Sequence, residues 1–164
     1  MNKLLLLVMA VVMVGCSKKS NPPRPSDAEW KEPVQSSASD LTTPSHFEET
    51  KAKAEAGHAK AQSNLGAMYY NGQGVEQDFK EAVKWGRKAA DQGYARAQHN
   101  LGTMYYKGQG VEQDFKEAVK WYQKAADQGD AKAQHRLGYQ YYIGEGVEQN
   151  NVTAYAWRNI AATN

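Results

Sequence analysis

Residues 57–92 read GHAKAQSNLGAMYYNGQGVEQDFKEAVKWGRKAADQ, and residues 93–128 and 129–164 repeat that block in register, giving three consecutive copies of 36 residues. Self-similarity at such a period marks an array of supersecondary units, each too small to bury its apolar face alone. In the first copy Ala61, Leu65, Met68 and Tyr69 fall at i, i+4, i+7 and i+8, one apolar stripe on a helical period, which predicts a helix A. The segment Gly72-Gln73-Gly74-Val75-Glu76-Gln77 follows as a loop, with two glycines for unusual backbone angles and Val75 as its anchor. Asp78 to Glu81 has the D-x-x-E form of a capping box, repeated at Asp114 and Glu117, and opens a second helix B. Gly93 and Gly129 stand where that helix would stop in a left-handed residue. Along helix B, Phe79, Ala82, Val83, Ala89 and Ala90 are apolar, and a tryptophan recurs at Trp85, Trp121 and Trp157.

Stacked helix pairs predict an all-α fold, a short right-handed α-solenoid of three helix-turn-helix repeats. Upstream, Ser45-His46-Phe47-Glu48 after Pro44 reads as a further capping box, and the stretch before Lys60 aligns with the end of the next block. A helix of B type therefore caps the array at its N-terminal side, and about seven helices are expected over residues 45–164.

The shared pattern A-x-A-Q-x-x-L-G-x-M-Y-Y-x-G-Q-G-V-E-Q-D-F-K-E-A-V-K-W-x-x-K-A-A-D-Q-G resembles the Sel-1-like repeat, a relative of the tetratricopeptide repeat with a longer inter-helix loop. The resemblance covers residues 57–164, with Asn159-Ile160 departing from the pattern before the last Ala-Ala. It implies an adaptor or scaffold for protein complexes and names no partner. An immunity protein neutralising a secreted toxin such as a lipase is the alternative within the family. A β-lactam or cell-wall hydrolase is less favoured, because the paired cysteines of the family's cysteine-rich branch are missing from all three blocks.

The chain of 164 residues holds 20 Lys and Arg against 18 Asp and Glu, with no block of one sign, so nucleic acid is not the expected partner. The single cysteine excludes an internal disulfide framework or thiolate metal cage. Met1 to Cys16, MNKLLLLVMAVVMVGC, has one basic residue and then an apolar run from Leu4 to Val14. As a helix that run rises about 16 Å, roughly half a bilayer core, so it reads as a secretory signal over residues 1–15. Met13-Val14-Gly15-Cys16 resembles a bacterial lipobox, with Met13 in place of the usual Leu; an ordinary cleaved signal is the competing reading. The resemblance implies lipidation of Cys16, including palmitate, and, because Ser17 is not Asp, an outer-membrane anchor facing the periplasm. Residues 16–44 carry all five prolines and no hydrophobic periodicity and read as a disordered tether, in which Trp30 is an isolated aromatic.

No catalytic constellation, metal site or cofactor site is expected; the G-Q-G-V loops lack the Lys-Ser/Thr of a phosphate loop. Blocks one and two differ at seven positions, and 36 − 7 = 29 are identical. Five differences lie in helix A: His58/Tyr94, Lys60/Arg96, Ser63/His99, Ala67/Thr103 and Asn71/Lys107. Four of these recur at i, i+3, i+7 and i+11, a stripe apart from Leu65 and Tyr69, and the third copy supplies Lys132, His135, Tyr139 and Ile143 there. The expectation is an exposed concave recognition surface for a protein partner, flanked by Tyr70, Tyr106 and Tyr142, with His99 and His135 stacked on neighbouring helices. On helix B the basic stripe Lys80, Lys84 and Lys88 recurs as Lys116, Lys120 and Lys124 and reads as solvated. In the third copy it becomes Val152, Ala156 and Ile160, an apolar face expected to serve self-association.

Overall fold

The computed structural model describes residues 44–163; the signal, Cys16 and the tether with Trp30 lie outside them. Among the described residues there are seven α-helices: α1 (Pro44–Glu55), α2 (Ala59–Asn71), α3 (Phe79–Asp91), α4 (Ala95–Lys107), α5 (Phe115–Asp127), α6 (Ala131–Ile143) and α7 (Asn151–Thr163). Each packs chiefly on the helix before it and the helix after it, so α2, α4 and α6 (type A) alternate with α1, α3, α5 and α7 (type B). No described helix is long and apolar enough to cross a membrane.

The predicted caps explain where the B helices begin. Asp78 Oδ1 accepts from the Lys80 and Glu81 amides at 2.8 and 3.1 Å, and Asp114 accepts from the Glu117 amide at 2.9 Å, satisfying donors that have no partner inside the helix. Asn150 takes the same place before α7, accepting from Thr153 at 3.0 Å. The return arm of the capping box is absent. The amides of Asp78 and Asp114 donate instead to the Tyr69 and Tyr105 carbonyls at 2.9 and 3.0 Å, and Glu81 and Glu117 turn outward to Lys84 and Lys120. The upstream box is also displaced: α1 already includes Pro44, so Ser45 lies in its first turn rather than at its cap.

Three side-chain devices tie successive repeats together. Gln62, Gln98 and Gln134 are buried, and each donates through Nε2 at 3.1 Å to a carbonyl near the end of the preceding B helix, that of Ala54, Ala90 and Ala126. The first two also accept, through their own oxygens, from the last residue of their own block, Gln62 from Gln92 at 2.6 Å and Gln98 from Gln128 at 2.7 Å. The second glycine of each later loop sits on the previous repeat. A Cβ on Gly110 would lie 2.1 Å from the Phe79 carbonyl oxygen, and one on Gly146 2.2 Å from that of Phe115. Both residues also have positive φ, 74° and 77°, so two independent constraints require glycine. Third, Tyr70 donates from its hydroxyl to Gln109 Oε1 in the following loop at 2.6 Å.

The core follows the same period. Leu65, Leu101 and Leu137 are fully buried at one repeat position, each contributing about 2–3 kcal/mol of hydrophobic stabilisation. Trp85 and Trp121 are buried beside them, and the apolar core divides into three clusters strung along the array rather than one centre.

Candidate functional site

The A helices present one face to their neighbours and one outward, and burial separates the expected stripe into two groups. Lys60, Asn71 and His135 are exposed, and Ala67, Arg96, Lys107, Lys132, Tyr139 and Ile143 are half-buried. Ser63, His99 and Thr103 are buried, at 4, 5 and 5 % exposure, which corrects the expectation that they face a partner. For His99 and Thr103 the cause is Tyr122. Its ring is wholly buried, lies 5.9 Å from the His99 ring at an interplanar angle of 36°, and donates its hydroxyl to Thr103 Oγ1 at 3.2 Å. In the first block the matching residue is Gly86, and the residues matching His99 and Thr103 are Ser63 and Ala67. Two of the five helix A differences between the blocks, together with Gly86/Tyr122 in helix B, thus form one packing set, small in the first repeat and large in the second.

The flanking tyrosines divide in the same way. Tyr70 is buried, holds Gln109 and packs edge-on to Phe79 at 5.2 Å; Tyr106 and Tyr142 are half-buried, and Tyr106 lies 5.3 Å from Phe115. Gln77, Gln113 and Gln149 pin their loops by donating to the carbonyls of Tyr70, Tyr106 and Tyr142. His99 is buried and His135 exposed, so the two do not share a surface. Among the described residues no group of three or more His, Cys, Asp and Glu stands close enough to hold a metal ion.

The basic residues expected on the stripe belong to a charge distribution of one sign along the A helices. The three A helices carry Lys60, Arg96, Lys107, Lys132 and a buried Arg136, and not one acidic residue. The described carboxylates lie on the B helices, at their caps and in the loops, and one of them, Asp130, caps the A helix α6 by accepting from the Ala133 amide at 2.7 Å. On the B side, Lys84 and Lys120 pair with Glu81 and Glu117 at 2.9 and 2.8 Å, and the hydrogen-bonded carboxylates hold both ammonium groups above the ordinary lysine range. Lys88 and Lys124 are exposed, with their ammonium groups 4.2 and 3.9 Å above the centres of the Trp85 and Trp121 rings. The basic stripe of helix B is therefore a solvated cover for tryptophan. In α7 the matching residues Val152, Ala156 and Ile160 are exposed, Val152 at 65 % and Ile160 at 44 %.

Comparison with known proteins accords with this geometry. The sequence pattern of the Sel1 repeat matches residues 59–94, 95–130 and 131–164. Among solved structures, the chain is similar to c5321, a protective antigen of uropathogenic Escherichia coli strains displaying an SLR fold, with 44 % identity and a TM-score of 0.70 over 71 % of this chain and 25 % of that one. A Sel1 repeat protein from Oxalobacter formigenes is 38 % identical, with a TM-score of 0.70 over 73 % of this chain and 49 % of that one. Cysteine rich protein B of Helicobacter pylori shares the fold at 22 % identity, with a TM-score of 0.60 over 74 % of this chain and 90 % of that one. The chain thus spans a quarter and about half of the length of the first two. No curated protein matches it.

Proposed function

Since the chain belongs to the Sel1 repeat family, whose repeats serve as protein-interaction scaffolds, we propose that it is a protein-binding module held at the cell envelope by lipid on Cys16, with the A helices as its binding face. One observation carries the choice of face: three A helices repeat at a fixed interval with basic side chains and no acidic one, whereas the B helices mix both signs. A surface of one sign steers a partner of the opposite sign and rejects its own kind. Anchoring rests on the sequence of residues 1–16, and the outer membrane is the proposed site, facing the periplasm.

Photo-crosslinking in the native envelope tests the reading. A benzophenone amino acid at Asn71 or His135 on the A side is expected to yield a discrete crosslinked protein, and the same group at Lys84 or Lys120 on the B side is not. Crosslinks from the B side alone would reject the A face. Replacing Cys16 by Ala is expected to abolish palmitate labelling and release the protein from membranes. Self-association through Val152, Ala156 and Ile160 belongs to the same proposal: Ile160→Glu is expected to lower the sedimenting mass at high concentration, and a monomeric native chain would remove it.

A further inference from the structure

We propose that the A face reads an acidic protein segment through an aromatic side chain that enters a notch beside Gly86, a refinement that rests on the A helices being the binding face. At the second junction Tyr122 fills the space between α4, α5 and α6, its ring so close to Gly102 that a Cβ there would lie 2.8 Å away. One repeat earlier the residues matching His99, Gly102, Thr103 and Tyr122 are all small: Ser63, Gly66, Ala67 and Gly86. A Cβ added to Gly86 meets nothing within 4 Å, and the residues around it, Ser63, Ala67, Gly86, Asn100, Leu101 and Met104, line a cleft with about 10 Å³ of room for water centres. That is space for roughly one water. The wall with most freedom is Met104, an unbranched side chain whose thioether adapts to its neighbours; its counterpart at the second junction is Gln140.

The notch opens on the A face. Ala67 and Asn100 are half-buried while Ser63, Gly86, Leu101 and Met104 are buried, so the mouth lies between α2 and α4. Lys60 stands one turn before Ser63 on α2, and Arg96 one turn before Asn100 on α4. Neither helix carries a carboxylate to compete for them. The matching seat one repeat later holds a six-membered ring, so a ring enters this one by displacing Met104, and the charge around the mouth shows which side chains flank it. An aromatic anchor in a buried pocket with charges at the rim is the arrangement that concentrates binding energy.

The probe is the peptide acetyl-Glu-Asp-Tyr-Asp-Glu-amide, titrated into the lipid-free full-length chain while amide shifts are followed by nuclear magnetic resonance. Binding is expected to move the amides of Gly66, Gly86 and Asn100, and to weaken about tenfold or more when the peptide's Tyr becomes Ala. Gly86→Tyr, which seats the protein's own ring, is expected to weaken binding about tenfold without lowering the thermal midpoint, while Gly86→Ala stays within about threefold of the native chain. Lys60→Glu with Arg96→Glu is expected to remove both the affinity and its salt dependence. If Gly86→Tyr loses helix content, Ala67→Leu closes the notch from α2 in its place. No shift at these amides, equal binding to the Gly86→Tyr chain, or equal binding of a peptide with Lys for each acidic residue overturns the proposal. A crosslinked envelope partner whose capture survives Gly86→Tyr overturns the notch and leaves the A face as the binding surface.

Discussion

At Tyr122 a single side chain organises a junction, and its removal should show it. The ring is 0 % exposed, so Tyr122→Ala is expected to cost about 3–5 kcal/mol in urea unfolding. Tyr122→Phe keeps the ring and loses the bond to Thr103, a cost of about 1 kcal/mol. A loss under about 1 kcal/mol for the alanine variant would contradict the ring's place in the core. A second residue-scale pair separates backbone strain from contact. Gly129 has φ of 87° with nothing within 4 Å of a built Cβ, so Gly129→Ala is expected to cost about 1 kcal/mol. Gly110 adds the close approach to Phe79, and Gly110→Ala is expected to cost on the order of 3 kcal/mol; equal costs for the two would mean the loop does not rest on α3. Much of this was legible from the repeat itself, including the glycine pairs and the leucine and tryptophan positions. The burial of Ser63, His99 and Thr103 was not. Helical spacing assigns a residue to a face of its own helix, but whether another element covers that face depends on distant residues, for His99 and Thr103 on Tyr122, about twenty residues away and in a different helix.

Helices α3 and α5 are specified by signals within a few residues of their starts, which is why their boundaries were readable where that of α1 was not. Asp114→Ala is expected to cost about 1 kcal/mol, because the Glu117 amide loses its acceptor. Glu117→Gln should be nearly neutral in comparison, since Glu117 returns no bond to the cap and instead pairs with Lys120. Equal losses in the two variants would restore the full capping box that the sequence suggested. The Glu117–Lys120 and Glu81–Lys84 pairs also set a sign for alkaline behaviour. Because the folded lysines titrate above their ordinary range, their small contribution is fully present below the unfolded pKa and disappears as pH rises through the folded value. Both lysines are exposed, so near neutral pH, where the pairs are intact, added salt should erase the difference between native chain and Glu117→Gln. What local signals could not reveal was the reach of the glutamines. Gln62, Gln98 and Gln134 bond to a helix eight residues back, a contact that exists only once two repeats have stacked.

For the whole molecule, stability is expected to vary along the array, because each repeat contacts only its neighbours and the two junctions between repeats are not equivalent to each other or to the end at α7. Around α5 the second junction has a fully buried tyrosine, two buried glutamines and the Gly146 seat. The first junction has the notch beside Gly86 where that ring would be. In α7 the only buried side chain is Ala154, and Tyr155, at the position where Val83 and Val119 are buried, is 70 % exposed. Native-state hydrogen exchange should therefore find the slowest amides in α4, α5 and α6, faster ones in α2 and α3, and the fastest in α7. Filling the notch then becomes a test of nearest-neighbour coupling. Gly86→Tyr adds a ring at the first junction and removes a mid-helix glycine, which alone is worth about 0.5 kcal/mol, so Gly86→Ala serves as the reference. Relative to that reference, the tyrosine should raise protection in α2, α3 and α4 and leave α7 unchanged. A uniform rise across all seven helices would instead mean that the array unfolds as one cooperative unit, and the inequality of its junctions would have no consequence for which surfaces open first.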